Sequence, residues 1–245
     1  WFDSVAGLAH DLDLSCVTPG RGDDPAVLQR LHSAPPDFVF SFYYRHLLPD
    51  TMIAVARRGA LNMHGSLLPR YRGRAPVNWA VLHGETETGA TLHYMVARAD
   101  AGDIVDQMSV PILPDDTAAE VMRKVTVAAE VVLVRSLPAL VAGTAPRRPQ
   151  RIEPGQYFGR RRPEDGRIDW QQPAFEVHNL VRAVAPPFPG AFTDLSGGRV
   201  WIHATRPAPG IDTPSTSPGF FVRAGRCYAR CGDGLVQSGV EGCDD

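Results

Sequence analysis

The sequence predicts an α/β protein made of a parallel, doubly wound sheet and a small β-barrel-like module that follows it. Up to residue 143, short apolar strand-like runs alternate with helical segments, which is typical of a parallel sheet. After that point the 23 glycines and 22 prolines become concentrated, and short strands with turns replace the helices. Hydrophobic residues make up 44% of the 245 residues, enough for a packed core in one large domain or one and a half.

The elements of the first half follow from apolar periodicity and from helix-end signals. Helices are expected over 24–34, 51–58 and 76–83, and strands over 37–42, 61–64, 91–96 and 104–112. Thr117 and Glu120 form a capping-box pattern, which predicts a helix that runs towards Gly143. Pro138 is expected to kink or break that helix.

The elements of the second half are predicted from its prolines and arginines and from short strand-like runs. Four prolines and several arginines between residues 144 and 163 indicate a linker, and a short helical patch follows within 168–184. Strands are expected over 200–204, 219–223 and 227–231. The chain is therefore divided into a first domain over 1–145, a linker over 146–163 and a β-barrel-like domain over 164–245.

Charge and hydropathy exclude several classes of function. The formal net charge of −2 argues against a strongly basic nucleic-acid wrapper, although the arginine clusters at 70–74 and 160–162 are locally basic. No uninterrupted apolar run approaches the roughly 20 residues of a membrane span, and no signal peptide is visible. We therefore expect a cytoplasmic protein with no membrane partner.

The four cysteines favour neither a disulfide framework nor a metal site. Cys16, Cys227, Cys231 and Cys243 are too sparse for a disulfide scaffold. A zinc site would need tighter pairs and a fourth ligand. Unpaired thiols in the C-terminal β region and no bound metal are the expectation.

One stretch carries residue types that suit chemistry. Asn62 and His64 are two apart in a predicted strand, so their side chains point the same way, at the strand end where open α/β sheets bind ligands. Asp100 lies in a glycine-containing turn between two later strands. The three side chains together could move a proton and hold a developing oxyanion. From the residues alone a structural histidine and a turn-forming aspartate remain open alternatives.

The motif N-x-H-x-S-L-L-P-x-x-x-G at 62–73, followed by A-D-A-G at 99–102, resembles the folate-dependent formyltransferase family. Within that family, the segments 41–47, 73–79 and 84–89 are most similar to the domain that formylates UDP-4-amino-4-deoxy-L-arabinose for lipid A modification, in a bifunctional polymyxin-resistance enzyme. Segments 158–161, 181–184 and 188–192 extend the likeness into the second half. It covers most of the chain.

The resemblance implies a Rossmann-like catalytic domain, a C-terminal β-barrel (OB-like) domain, 10-formyltetrahydrofolate as the formyl donor and an amine as the acceptor. It makes Asn62, His64 and Asp100 the catalytic triplet. The pterin pocket that it implies is lined by Tyr44, Arg45, His46, Leu47, Ala99 and Asp103. Arg72 and Arg74 could bind phosphates of the acceptor, or they could form a solvated loop. His83 and His93 are expected to be structural.

The sequence also departs from the family pattern. Members begin with a strand, a helix and a second strand, whereas this chain starts in what resembles a later helix, so the first segment is expected to be missing. No decarboxylase half is recognised. The lead interpretation is formylation of the 4-amino group of a UDP-linked sugar. Methionyl-tRNA formylation and a folate- or nucleotide-binding module without catalysis are the alternatives.

The same triplet implies a mechanism. Asn62 would donate a hydrogen bond to the oxyanion, and a protonated His64 would add positive charge beside it. Asp100 would hold His64 in that state and help remove the amine proton. An ordinary aspartate has a pKa of about 3.9, so Asp100 is expected to have a raised pKa or to act only transiently.

Overall fold

A computed structural model describes residues 4–20, 22, 24–44, 46–211, 219–224, 226–232 and 234–238. Arg45 and Cys243, both singled out from the sequence, lie outside the described residues. The helices are α1 (Val5–Asp11), α2 (Pro25–Ser33), α3 (Asp50–Ala54), α4 (Pro76–Leu82), α5 (Ala118–Ala142) and α6 (Ala174–Val184). The first six strands are β1 (Phe38–Phe42), β2 (Gly59–His64), β3 (Arg72–Gly73), β4 (Glu87–Tyr94), β5 (Ile104–Pro111) and β6 (Tyr157–Phe158). The remaining strands are β7 (Ala191–Leu195), β8 (Gly198–Ile202), β9 (Thr205–Pro207), β10 (Gly219–Arg223), β11 (Arg226–Arg230) and β12 (Leu235–Ser238).

Helices α2 and α5 begin where the sequence supplies acceptors for their free N–H groups. The Asp24 carboxylate accepts hydrogen bonds from the first turn of α2, and Pro25 at the first helical position has no N–H to satisfy. Thr117 and Glu120 form the predicted reciprocal capping box at the start of α5. α5 passes through Pro138 and ends at Gly143, which has a left-handed φ of 75°. The predicted break at Pro138 is therefore wrong, because this helix continues for four more residues.

The main sheet has the strand order β1-β2-β4-β5. β1 and β2 are parallel, whereas β2–β4 and β4–β5 are antiparallel. The predicted α/β class is confirmed, but the sheet is mixed among the described residues rather than wholly parallel. The reason lies in the chain length between strands, since only residues 95–103 join β4 to β5 and a parallel crossover needs a dozen or more.

The first hydrophobic core lies between this sheet and the helices α4 and α5. Val121, Val125 and Val132 of α5 are fully buried at helical spacing against β4 and β5. α5 is also long and apolar enough to cross a membrane by length and composition alone, with a mean hydropathy of 1.8 and a third of that window buried. A core helix of this kind meets the same test, so it is weak evidence for a span.

A second core holds the C-terminal half together. α6 packs Val177 and Val181 against Ile202, Ala229 and other buried residues of two small antiparallel sheets. The sheets have the orders β7-β8 and β10-β11-β12-β9. They form the small β domain that the sequence predicts, and α6 occupies the end of the predicted helical patch.

The segment between the two cores is tied to elements of the first one. Arg148 forms a β-bridge with Ile104, and β6 pairs in parallel with β3. The Trp79 indole N–H of α4 donates to the Gly159 carbonyl. This crossing brings residues 157–163 next to the loop that follows β2.

Candidate active site

The strands bring the sequence-predicted segments to one edge of the sheet. β1 and β2 run in parallel with Phe42 opposite Met63, so the chain after β1 and the end of β2 lie side by side. Asn62 and His64 leave β2 on one face, as the strand alternation requires. The antiparallel partner β4 places His93 directly opposite Asn62.

Asp100 lies at the centre of the cluster that these strands create. Its Oδ1 is 3.5 Å from Asn62 Nδ2 and 3.6 Å from both His64 Nδ1 and His93 Nε2. Its Oδ2 accepts a 2.9 Å hydrogen bond from the Gly73 backbone N–H. The structure thus unites the three residues of the predicted triplet, and the carboxylate side chain is only 14% exposed.

Two glycines make this approach possible. A Cβ on Gly102 would lie 2.0 Å from the Tyr94 carbonyl oxygen, so only glycine lets the Asp100 loop lie this close to β4. Gly73 has a φ of 103°, and a Cβ there would lie 2.2 Å from the Phe158 carbonyl oxygen. Gly73 therefore delivers its N–H to Asp100 while β3 pairs with β6.

The Asp100 loop is held by side chains from two other segments. Asp100 itself has a left-handed φ of 52°, a conformation that a non-glycine residue keeps only when its surroundings impose it. Arg72 donates a 2.7 Å hydrogen bond to the Ala99 carbonyl, and Gln150 donates to the carbonyls of Asp100 and Gly102. Gln150 was not predicted, because nothing in its proline-rich surroundings signals a contact with residues 50 positions earlier.

The hydrogen bonds define the tautomers of both histidines. His64 Nε2 is 2.8 Å from the Tyr71 carbonyl and His93 Nδ1 is 2.8 Å from the Tyr94 carbonyl, and a carbonyl can only accept. The neutral rings therefore present His64 Nδ1 to Asp100 and His93 Nε2 to the Asn62 amide, 3.3 Å away. A carboxylate next to a ring nitrogen that has a free lone pair stabilises the protonated form of that ring.

The environment lowers the pKa of both acidic and basic members of the cluster. Burial is the largest influence on His64 and lowers its pKa below the ordinary 6.5, although the Asp100 charge and the Tyr71 carbonyl act in the opposite direction. Burial would raise the pKa of Asp100, but the His93 contact, the His64 charge and the Gly73 N–H together lower it to about 2. A raised pKa of Asp100 is therefore wrong, because its polar contacts outweigh burial, and the alternative that Asp100 acts only transiently stays a prediction. At His64 burial prevails, so the ring is not held protonated in the protein without ligands.

His93 belongs to the cluster, although its residue type in a strand suggested a structural role. Its ring is 1% exposed and contacts both Asn62 and Asp100. The signal that would have revealed it is the pairing of β2 with β4, which the sequence does not specify. His83 lies apart from Asp100, with its ring against Tyr71 and Trp79.

The segment expected to form the pterin pocket lies beside the cluster. Tyr44, His46 and Leu47 follow β1 and are exposed, and the rings of Tyr44 and His46 meet edge to face at 5.8 Å. Among the described residues, the backbone N–H and C=O groups of these three have no protein partner. Ala99 and Asp103 flank Asp100, and the Asp103 carbonyl accepts from the Tyr94 N–H.

The two arginines expected to bind phosphate have different environments. Arg72 is only 3% exposed, and its guanidinium is directed at the Ala99 carbonyl. Arg74 is exposed and lines a cavity of about 290 Å³ together with Arg160, Arg161 and Arg162. Only Arg74 of the predicted pair is therefore presented to a ligand.

Metal ligands and thiols contribute nothing to this site. Within the described part of the chain, no group of three or more histidine, cysteine, aspartate or glutamate side chains is arranged to hold a metal ion. Cys16 is exposed, Cys227 is half-buried and Cys231 is buried.

Family models match both halves of the chain. The model described as formyl transferase matches residues 8–137, and the model described as formyl transferase, C-terminal domain, matches residues 161–239. The two matches together cover both hydrophobic cores.

Several solved structures are similar to the chain. The N-formyltransferase from Helicobacter canadensis, in complex with folinic acid and dTDP-3-aminofucose, is 20% identical, with a TM-score of 0.78 over 97% of this chain and 82% of that one. A 4-N formyltransferase from Francisella tularensis is 20% identical, with a TM-score of 0.68 over 80% of this chain and 79% of that one. A variant of HypX from Aquifex aeolicus is 21% identical, with a TM-score of 0.69 over 92% of this chain and 39% of that one. The chain thus spans well under half of HypX. At these identities the likeness shows the fold.

Proposed function

Because the chain belongs to the formyl transferase family, we propose that it transfers a formyl group from 10-formyltetrahydrofolate to the amine of a nucleotide-linked amino sugar. The observation that carries this proposal is the Asn62–His64–Asp100 cluster, assembled beside an exposed strand end with free backbone groups. The Helicobacter enzyme, whose complex holds folinic acid and a dTDP-amino sugar, supports both substrates. We take residues 1–145 as the catalytic domain, 146–163 as the linker and 164–245 as the C-terminal domain.

The residues at the end of β1 suit a folate. Tyr44, His46 and Leu47 offer backbone donors and acceptors that have no partner among the described residues, and a pterin ring carries a complementary edge of donors and acceptors. The exposed rings of Tyr44 and His46 and the exposed Leu47 side chain offer apolar contact to the same flat group. We propose that these residues, with Ala99 and Asp103, hold the pterin. Bound there, the folate supplies the formyl carbon that the amine attacks.

Asn62 is proposed to stabilise the oxygen of that formyl group. As the amine attacks, negative charge develops on this oxygen, and one well-placed donor is worth about 2.7–4 kcal/mol in acyl transfer. The Asn62 amide makes only long contacts, 3.3 Å to His93 and 3.5 Å to Asp100, so one N–H can turn to the oxyanion at little cost. His93 and Asp100 keep the amide oriented until then.

His64 and Asp100 are proposed to accept the amine proton as a pair. With a pKa of about 2, Asp100 is too weak a base to act alone at neutral pH, but its charge is 3.6 Å from His64 Nδ1. The neutral imidazole takes the proton on Nδ1, and the Asp100 carboxylate stabilises the imidazolium that results. The imidazolium then places positive charge beside the oxyanion, so its charge develops during the reaction rather than before it. When the carbonyl re-forms, the bond between the formyl carbon and N10 of the folate breaks, and the proton on His64 passes to N10, so that tetrahydrofolate leaves and neutral His64 is restored.

The finer identity of the acceptor rests on sequence. The 73–79 and 84–89 segments favour a UDP-linked 4-amino sugar of the 4-amino-4-deoxy-L-arabinose type, and with it a role in lipid A modification. The likeness to the Francisella 4-N formyltransferase supports an acceptor sugar whose amino group is at position 4. The competing candidate within the family is methionyl-tRNA formylation, which would need a wide basic surface that a chain of net charge −2 does not favour.

An acceptor panel tests the proposal. Purified protein with 10-formyltetrahydrofolate is incubated with UDP- and dTDP-linked 3- and 4-amino sugars and with charged initiator tRNA, and products are identified by mass spectrometry. We expect a mass gain of one formyl group on a UDP-4-amino sugar, with no product from the His64→Ala protein. Formylated tRNA with no formylated sugar would overturn the proposal.

A further inference from the structure

The cavity of about 290 Å³ beside the cluster has a wall of unusual charge. Arg74 and the consecutive arginines 160–162 line it. Asn78, Phe188 and several small residues complete the lining, and none of the lining residues is acidic. Four guanidinium groups around one small space repel one another unless an anion neutralises them.

The four arginines differ from the other arginines near this part of the surface in having no carboxylate partner. Arg70 pairs with Glu85, and Arg167 and Arg199 both pair with Asp194. Within the described residues, no ion pair is formed by Arg74, Arg160, Arg161 or Arg162. The negative charge of Asp165 acts on Arg161. Asp165 Oδ2, however, accepts a 2.7 Å hydrogen bond from the Arg162 backbone N–H.

Arg161 is placed as the fixed member of the group. It is half-buried, and its guanidinium lies 4.9 Å from the Trp79 ring centre, while one Nη donates to the Asp165 carbonyl. Its buried Nε has no hydrogen-bond partner in the described part of the chain. Burying a charged group with an unused donor is costly, which indicates a partner that the protein itself does not supply.

The cavity is joined to the catalytic cluster by one peptide. Gly73 donates its N–H to Asp100, and the next residue, Arg74, lines the cavity. Guanidinium forks bind phosphoryl oxygens in pairs, and four arginines from two separate segments match two phosphoryl groups better than one. We propose that this arginine cavity binds the diphosphate of the nucleotide-linked acceptor, with Arg161 as its anchor.

This inference rests on the proposed function for the identity of the anion, and it replaces Arg72 by Arg161 as the principal phosphate ligand. A diphosphate bound in this cavity lies beside Arg74, whose neighbour Gly73 donates its N–H to Asp100. The acceptor is thereby held close to the Asp100 loop. Binding would therefore raise the local concentration of the amine at the cluster. The catalytic residues themselves need no charge contact with the nucleotide.

Calorimetry with inorganic pyrophosphate tests the cavity without any catalysis. The wild type should bind pyrophosphate more tightly than inorganic phosphate, and Arg161→Gln should weaken pyrophosphate binding about tenfold or more, the scale of a lost charged hydrogen bond. Arg123→Gln is the matched control, because Arg123 is 69% exposed on α5 and lies outside the cavity. Circular dichroism checks the fold. Should Arg161→Gln not fold, the exposed Arg160→Gln is measured instead, with the same expectation.

The outcomes separate this inference from the proposed function. Wild-type protein that does not bind pyrophosphate, or an arginine variant that binds it as well as the wild type, would overturn the cavity as the diphosphate site. Efficient formylation of a nucleotide sugar by Arg161→Gln with an unchanged KM would do the same while leaving the proposed function intact. Arginine-dependent pyrophosphate binding without formylation of any amino sugar would support the cavity and remove the proposed function.

Discussion

The catalytic cluster and the arginine cavity are adjacent, yet they are built on opposite principles. In the cluster, Asp100 is surrounded by donors and two histidines, and its pKa is lowered to about 2. In the cavity, Arg161 has a buried donor for which the described part of the chain supplies no partner, and no carboxylate is among the described residues that line the cavity. The charged groups of the first region have their contacts before a substrate arrives, which suits catalysis. The arginines of the second region gain a counter-charge only when an anion binds, which suits substrate recognition.

The largest expected effect comes from the completed region. Asp100→Asn removes the charge that stabilises a protonated His64, and we expect kcat to fall about 10²–10⁴-fold, the range typical of a lost acid–base group. Combining it with Asn62→Ala should cost little more than the worse single change, because both act on one reaction step. Steady-state kinetics of the single and double variants give the answer. Multiplying losses in the double variant would show that the two residues act independently.

A substitution at the peptide that joins the two regions should damage both. Gly73→Ala places a Cβ about where the Phe158 carbonyl lies, at a φ of 103° that alanine disfavours, so we expect a loss of about 1–3 kcal/mol in the free energy of unfolding. Chemical denaturation measures that loss. Gly197→Ala is the control, because a Cβ there meets nothing within 4 Å. Equal stability of the two variants would show that the close approach of β3 and β6 is not required.

The pH dependence of the free energy of unfolding tests the pairing of His64 with Asp100. His64 has a lowered pKa, so its contribution to the free energy of unfolding is fully present above pH 6.5 and is lost as the pH falls through the folded value. The Asp100 contribution has the same sign and is lost between about pH 4 and pH 2. NMR titration should place His64 below an ordinary histidine. In Asp100→Asn its pKa should fall further, because the Asp100 charge raises it; an upward shift would contradict the pairing.

Salt should have the smallest effect of all. A diphosphate needs a few arginines in one cavity, so activity on a nucleotide sugar should fall only shallowly between low and physiological salt. A tRNA acceptor would give a steep loss instead, because many phosphate contacts are replaced by salt ions. Initial rates over a salt series measure the slope.

The two regions also differ in how far the sequence predicts them. Asn62, His64 and Asp100 are visible because a strand alternation and a glycine turn carry a recognisable motif, and the matching family models confirm the predicted formyltransferase family. The helix ends at Asp24 and Thr117 are equally local and are confirmed. The narrower likeness to the L-arabinose enzyme stays a proposal.

What the sequence does not predict depends on contacts between distant segments. His93 joins the cluster through the antiparallel pairing of β2 with β4, and Gln150 through a chain crossing 50 residues away. The arginine cavity forms because β6 pairs with β3 and brings residues 160–162 to Arg74. The lowered pKa of Asp100 is not predicted for the same reason, since the groups that lower it come from three separate elements.

One kinetic comparison tests the division between the two regions most directly. KM for the acceptor sugar and kcat are measured for the wild type, Asp100→Asn and Arg161→Gln at saturating folate. The account predicts that Asp100→Asn lowers kcat with little change in KM, and that Arg161→Gln raises KM about tenfold or more with kcat nearly unchanged. A lowered kcat with an unchanged KM in Arg161→Gln would contradict it.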